Sequence, residues 1–140
     1  MRRRTSTIGE LMTPAPVRIR PEQSLATAHA LMRSHGVRHL PVVEEGRVVG
    51  VVSQGDLRLL ESIGQVEVDK VQVEEAMVHR PYMVWTDTPV ADVLAHMLEH
   101  HLGAALVVDR DGLAGIFTSV DAMLALKQMT SAPAGQGEGS

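Results

Sequence analysis

Gly50-Val51-Val52-Ser53-Gln54-Gly55-Asp56 returns 65 positions later as Gly115-Ile116-Phe117-Thr118-Ser119-Val120-Asp121. Both stretches run glycine, two apolar residues, a hydroxyl residue, two variable positions, aspartate. The same shift extends outward without a gap. It pairs Met12 with Met77, Pro16 with Pro81, Ala26 with Ala91, Met32 with Met97, His35 with His100, Val42 with Val107 and Leu59 with Leu124. Positions between these mostly keep their apolar character, as in Ile19 with Val84 and Val37 with Leu102. A register held this long marks a duplicated structural unit that packs on its copy. The units cover residues 8–62 and 73–128, with an extension at 1–7, a polar, valine-alternating linker at 63–72 and a tail at 129–140. Alanine, proline, glycine, serine and glutamine crowd that tail, a composition that predicts disorder.

Each unit predicts strand, helix, strand, turn, strand, helix. In the first, Ser24 is the expected N-cap, Leu25, Ala28 and Met32 share the inner face, and Gly36 closes the helix. In the second, Thr88 is the expected N-cap and Pro89 the first helical residue, followed by Val90, Val93, Leu94 and Met97 at helical spacing. β-rich runs flank Glu45-Gly46 and Asp111-Gly112, which predicts two hairpins. A second helix opens near Asp56 and again near Asp121. One small sheet and two helices leave an apolar face that a single unit cannot cover. The fold class is therefore α/β (α+β): two βαββα repeats packed with pseudo-twofold symmetry and clefts between them.

A chain of 140 residues fits one domain, or two half-sized units sharing a core. Hydrophobic residues make up 44% and suffice for that core, but aromatics are 2%, Tyr82, Trp85 and Phe117, so Val, Leu, Ala and Met must fill it. Trp85 is expected to pack at the core or its rim. A net charge of -4 lacks the basic footprint of a nucleic-acid binder, and Arg2-Arg3-Arg4 reads as a frayed terminus. The absence of cysteine excludes disulfide and thiol chemistry and suits a cytoplasmic setting. No apolar run has the length of a membrane span.

The motif itself has a chemical reading. An ionised aspartate at a helix start can accept both hydroxyls of a ribose, by analogy with dinucleotide-binding folds. The serine or threonine three residues earlier can donate to a phosphate, and the free N–H groups of the helix end favour an anion. From the residues alone, a capping box that merely starts the helix is the stronger reading. The two roles can coexist.

These motifs, with Leu40-Pro41-Val42-Val43 and the Leu11-Met12-Thr13 opening, resemble the cystathionine-beta-synthase (CBS) domain over nearly all of residues 8–127. Two copies resemble the tandem pair called a Bateman module. The resemblance implies a non-catalytic regulatory module that binds an adenosine-containing small molecule and signals through conformational or oligomeric change. AMP, ADP and ATP are the implied ligands, with NAD or S-adenosylmethionine as relatives. A homodimer and an unidentified protein partner are also implied.

Carried over residue by residue, the resemblance implies two unequal clefts. Cleft one would use Val51, Ser53 and Asp56, with Arg38 and His39 at the phosphates and Tyr82, Leu102 and Gly103 against the base. Cleft two would use Ile116, Thr118 and Asp121 with Val17 and Val37. It departs from the family pattern, because Leu106 replaces Pro41, Val120 replaces Gly55, and Gly103 and Ala104 replace Arg38 and His39. Weaker binding is expected there. The competing reading is a structural dimerisation or scaffold module with vestigial clefts.

His96 and His100 stand four apart on a helix with His101 beside them, a spacing that can chelate a metal. No neighbouring ligand completes a set, so a solvated or dimer-facing pair is expected and no metal site. No nucleophile has an implied partner, so no catalytic residue is assigned and the chain reads as no enzyme.

Overall fold

Ile8 and Val73 hold equivalent positions at the start of the two repeats, and each is fully buried in the other repeat's core. The computed structural model describes residues 6–137, with side chains through residue 128. Helix α1 (Ile8–Leu11) and strand β1 (Thr13–Pro14) open the first repeat, followed by α2 (Leu25–His35), β2 (His39–Glu44), β3 (Arg47–Ser53) and α3 (Gln54–Ile63). A 3-10 turn (Val73–Glu75) takes the place of α1 in the second repeat. Then come β4 (Met83–Trp85), α4 (Val90–His100), β5 (Ala104–Asp109), β6 (Gly112–Thr118) and α5 (Ser119–Gly137).

The opening segments cross between the repeats in matched fashion. The Ile8 N–H donates to the Thr88 carbonyl at 2.8 Å, and the Val73 N–H donates to the Gln23 carbonyl at 2.8 Å. β1 pairs antiparallel with β6 through Thr13 and Ile116, and Val78 bridges Val51 in the same sense. The motif glycine permits this crossing. A β-carbon on Gly50 would lie 2.7 Å from Met77 Sδ and from the Val78 carbonyl oxygen, and one on Gly115 would lie 2.8 Å from the Thr13 carbonyl oxygen.

One sheet runs β1-β6-β5-β4 and the other pairs β2 with β3. The expected first strand of repeat one is reduced to a parallel bridge between Ile19 and Val42, where repeat two has all of β4. Two aliphatic cores result. One gathers Ile19, Leu25, Leu40, Val52 and Leu57 around Val73, the other Val93, Ala105, Val107 and Phe117 around Ile8. Each core is completed by the other repeat, so burial on folding depends on both being present. The linker is part of the first core: Val66, Val68 and Val71 pack on it, and the carbonyls of Val71 and Val68 accept the Leu25 and Ala26 N–H groups.

Ser24 caps α2, accepting the Thr27 N–H at 3.1 Å, and Gly36 ends it at φ 65°. The second repeat differs. Pro89, not Thr88, is the N-cap of α4, because a bridge to Thr7 holds Pro89 extended and the helix starts one residue later. Glu45 and Gly46 both have positive φ, the type I′ geometry of a two-residue hairpin. The second hairpin turns at Arg110 and Asp111, one residue before the expected Asp111-Gly112, with Asp109 Oδ1 accepting the Asp111 N–H at 2.8 Å.

Trp85 is exposed, not packed at a core, since β4 turns its side chain away from the buried Val84. The backbone of α5 continues to Gly137, so the expected tail is helical as far as that residue; residues 138–140 lie outside those described, as do 1–5 of the N-terminal extension. Among the described residues, no helix is long and apolar enough to cross a membrane.

Candidate functional site

Ser53 and Asp56 form the capping box that their spacing suggests. Ser53 Oγ accepts the Asp56 N–H at 3.0 Å, and Asp56 Oδ2 accepts the Ser53 N–H at 2.9 Å. That reciprocal pair fixes the carboxylate at the N-terminal turn of α3. Among the described residues no hydrogen bond reaches Asp56 Oδ1. Because Ser53 Oγ acts as an acceptor within the box, its own proton can be donated outward.

Both residues line a cavity of about 480 Å³ between the repeats. Val51, His39, Tyr82, Leu102 and Gly103 line the same cavity, so seven of the eight residues expected for cleft one come together. Arg38 does not. It sits in the bend before β2 and lines a separate groove with Val37, Arg33 and Gln54. The arginine that lines the cavity is instead Arg80, in the segment that leads from Val78 into β4.

Burial pushes the His39 imidazole below its ordinary value, with Asp56 opposing that shift and Arg38 adding to it. Its ring packs close to the repeat junction, where a β-carbon on Gly103 would lie 3.2 Å from Nε2. Burial, reinforced by Asp92, raises the Tyr82 phenol. That side chain therefore stays neutral. The His96 ring stacks on Tyr82 at 4.0 Å and 20°, and His100 follows at 4.3 Å from His96. His96, His100 and His101 line the cavity, His96 half-buried and the other two exposed, which agrees with the expected solvated pair. Among the described residues, no group of three or more His, Cys, Asp or Glu is placed to hold a metal ion.

The second repeat builds a different end for its motif. Thr118 and Asp121 repeat the box, with Asp121 Oδ2 accepting the Thr118 N–H at 2.8 Å. Asp121 Oδ1 accepts the Thr13 hydroxyl at 2.9 Å. Both carboxylate oxygens are thereby engaged. Ile116 is buried, Val17 packs against the first core, and Val37 lies on the Arg38 groove, which shares no lining residue with Thr118 or Asp121.

Arg80 and the α4 histidines escape a reading of the chain alone. Arg80 precedes Tyr82 by two, the spacing of one strand face, and His96 and His100 share a helical face with Val93 and Met97 as neighbours. Those spacings are visible. Which side of α4 meets the other repeat depends on the crossing of the opening segments.

The CBS domain family matches residues 8–61 and 73–128. The chain is 30% identical over 134 residues to the CBS domain-containing protein YhcV of Bacillus subtilis, covering 93% of this chain and 91% of that one. It is 28% identical over 117 residues to the zinc metalloprotease MJ0392 of Methanocaldococcus jannaschii, which takes in 84% of this chain but 31% of that protein. Among solved structures, CBSX2 in complex with AMP superposes with a TM-score of 0.74 at 30% identity, covering 89% of this chain and 98% of that one.

Proposed function

We propose that this chain, which belongs to the CBS domain family as a tandem pair of repeats, is a regulatory module that binds AMP, ADP or ATP in the cleft of Asp56. One observation carries the reading. Asp56 is clamped by its own capping box on the wall of a 480 Å³ cavity that also presents Arg80 and His39. A fixed carboxylate suits a ribose diol, the Arg80 guanidinium suits a phosphate, and the His39 imidazole can add a hydrogen bond. Tyr82 stacked on His96 offers a planar surface to a base. The volume falls in the range of small-molecule sites, roughly 300–1,000 Å³. CBSX2, in complex with AMP, supports the class of ligand. S-adenosylmethionine carries a sulfonium cation, which Arg80 disfavours.

Regulation follows if the nucleotide has different affinities for two arrangements of the repeats or of their partners. No catalytic role is assigned. A cytoplasmic setting suits both the ligand and a chain without cysteine. The test is thermal unfolding against a panel of AMP, ADP, ATP, NAD and S-adenosylmethionine. A ligand at 100 times its Kd adds about 2.7 kcal/mol to stability. An unmoved melting temperature at millimolar nucleotide would sink the proposal.

A second reading, a dimerisation or scaffold module, is favoured by exposed apolar side chains on α3 and α5: Leu59, Ile63, Val120, Met123 and Leu124. Side chains of this kind gathered on two helices suit self-association. Sedimentation equilibrium separates monomer from homodimer, and a dimer whose stability ignores every nucleotide would leave the scaffold role alone standing.

A further inference from the structure

We infer that the α4 histidines His96, His100 and His101 form a proton-linked polyanion site, so that the cleft tightens on polyphosphate as pH falls. The inference rests on the nucleotide reading above and specifies how that site is regulated. Four of the seven histidines, these three and His39, line one cavity. The repeat carries a histidine at one of these positions, His35 for His100, but not at the other two: the counterparts of His96 and His101 are Leu31 and Gly36. His101 ends α4 at φ 55°, where Gly36 ends α2 at φ 65°. A β-carbon disfavours that backbone, so at the cavity wall a histidine occupies a conformation the other repeat gives to glycine.

The groups facing these imidazoles come from three directions. His39 faces them from β2, Asp56 from α3, and Arg80 and Tyr82 from the segment entering β4. Arg38 acts on His39 and Asp92 on Tyr82, each from outside the cavity lining, and Glu99 on α4 lies outside the lining as well. One carboxylate therefore stands against Arg80 and four imidazoles.

Histidine as a class changes charge between about pH 5 and 8. With the imidazoles neutral, Arg80 is the one cationic side chain among the described residues that line the cavity. The His96 and His100 rings lie 4.3 Å apart, a spacing at which two positive charges repel one another. A polyphosphate beside them relieves that repulsion, so proton uptake and anion binding assist each other reciprocally. Adenosine, without phosphate, gains nothing.

Calorimetric titration of the full chain with ATP, inorganic tripolyphosphate and adenosine, at about pH 8 and about pH 6, tests this. Affinity for ATP and tripolyphosphate is expected to rise about tenfold toward the lower pH, the order that several partly exposed ion pairs supply. Adenosine should show no change. The phosphates lose charge over the same interval, so a rise cannot come from the ligand. H96L combined with H101G restores the residues that repeat one carries and should flatten the slope; His100→Gln provides a second, single-site check. A slope that survives in both variants, or a wild type without one, overturns the inference. Adenosine or AMP binding alongside pH-independent tripolyphosphate would leave the nucleotide reading intact and remove the histidine one. A pH-dependent tripolyphosphate site with ATP no tighter would do the reverse. No binding by any probe overturns both.

Discussion

The Thr13 hydroxyl donates to Asp121 Oδ1 at 2.9 Å, while the counterpart of Thr13 in the other repeat is Val78, which has nothing to donate to Asp56. Two aspartates at equivalent helix starts thus differ in what they can offer a ligand. Asp56 keeps an oxygen for the cleft, and Asp121 must surrender a hydrogen bond first. Asn in place of either keeps a capping oxygen and removes the charge, which separates binding from helix initiation. Asp56→Asn is expected to weaken nucleotide binding about 10- to 100-fold, the worth of a charge-assisted hydrogen bond at roughly 1.5–3 kcal/mol. Asp121→Asn should change it less than about threefold. Calorimetry on the two variants decides, and the opposite order would assign the ligand to the wrong cleft.

His39 makes stability depend on pH with a definite sign. Its folded pKa is held down mainly by burial, so below the unfolded value of about 6.5 the unfolded chain binds more protons than the native one. The contribution is present above that value and is lost as pH falls through the folded pKa. Melting temperature should fall on acidification from about pH 7 to about pH 5 more steeply in the wild type than in His39→Gln. Parallel curves for the two proteins would mean that His39 is not the group responsible.

Much of the fold is legible in the chain because its determinants are local. The 65-residue shift, the Ser24 cap, Gly36 and the Glu45-Gly46 turn each act within a few residues. The motif's capping box is legible for the same reason. The misreadings share a different cause. Pro89 is displaced to the N-cap by a bridge to Thr7, and Arg38, in the bend before β2, lines a different groove from its neighbour His39. Trp85 remains exposed because β4 buries only Val84 between its two outward residues. Arg80 and His96 reach the cavity through the reciprocal crossing of the opening segments. That crossing joins residues far apart in sequence, and no local pattern encodes it.

The same crossing predicts that the repeats unfold together. Ile8 belongs to repeat one by sequence, yet its side chain is buried among Val93, Val107 and Phe117 of repeat two. Ile8→Ala should cost about 2–5 kcal/mol, as for other buried isoleucines. Val73→Ala should likewise loosen the core of repeat one. Urea unfolding followed by Trp85 fluorescence and by far-ultraviolet circular dichroism should give one coincident transition in both variants, moved to lower denaturant. Two separated transitions would show that each repeat is stable without the other's opening segment.

The motif glycines allow a sharper test of where that crossing is tight. A β-carbon at Gly50 would meet Met77 Sδ and the Val78 carbonyl at 2.7 Å, whereas one at Gly55 would meet only Ser53 Oγ, at 3.7 Å. Met77 can shift its thioether, but the Val78 carbonyl is held by its reciprocal hydrogen bonds with Val51. Gly50→Ala is therefore expected to destabilise by about 1–3 kcal/mol, the range for overpacking. Gly55→Ala lies within the first turn of α3 and should be neutral or stabilising by up to about 1 kcal/mol. Because Val51 and Val78 both line the cleft, Gly50→Ala should also reduce nucleotide affinity, while Gly55→Ala should not. Equal stability for the two variants in chemical denaturation would show that the opening segment yields, and that the glycine is not what lets the repeats approach.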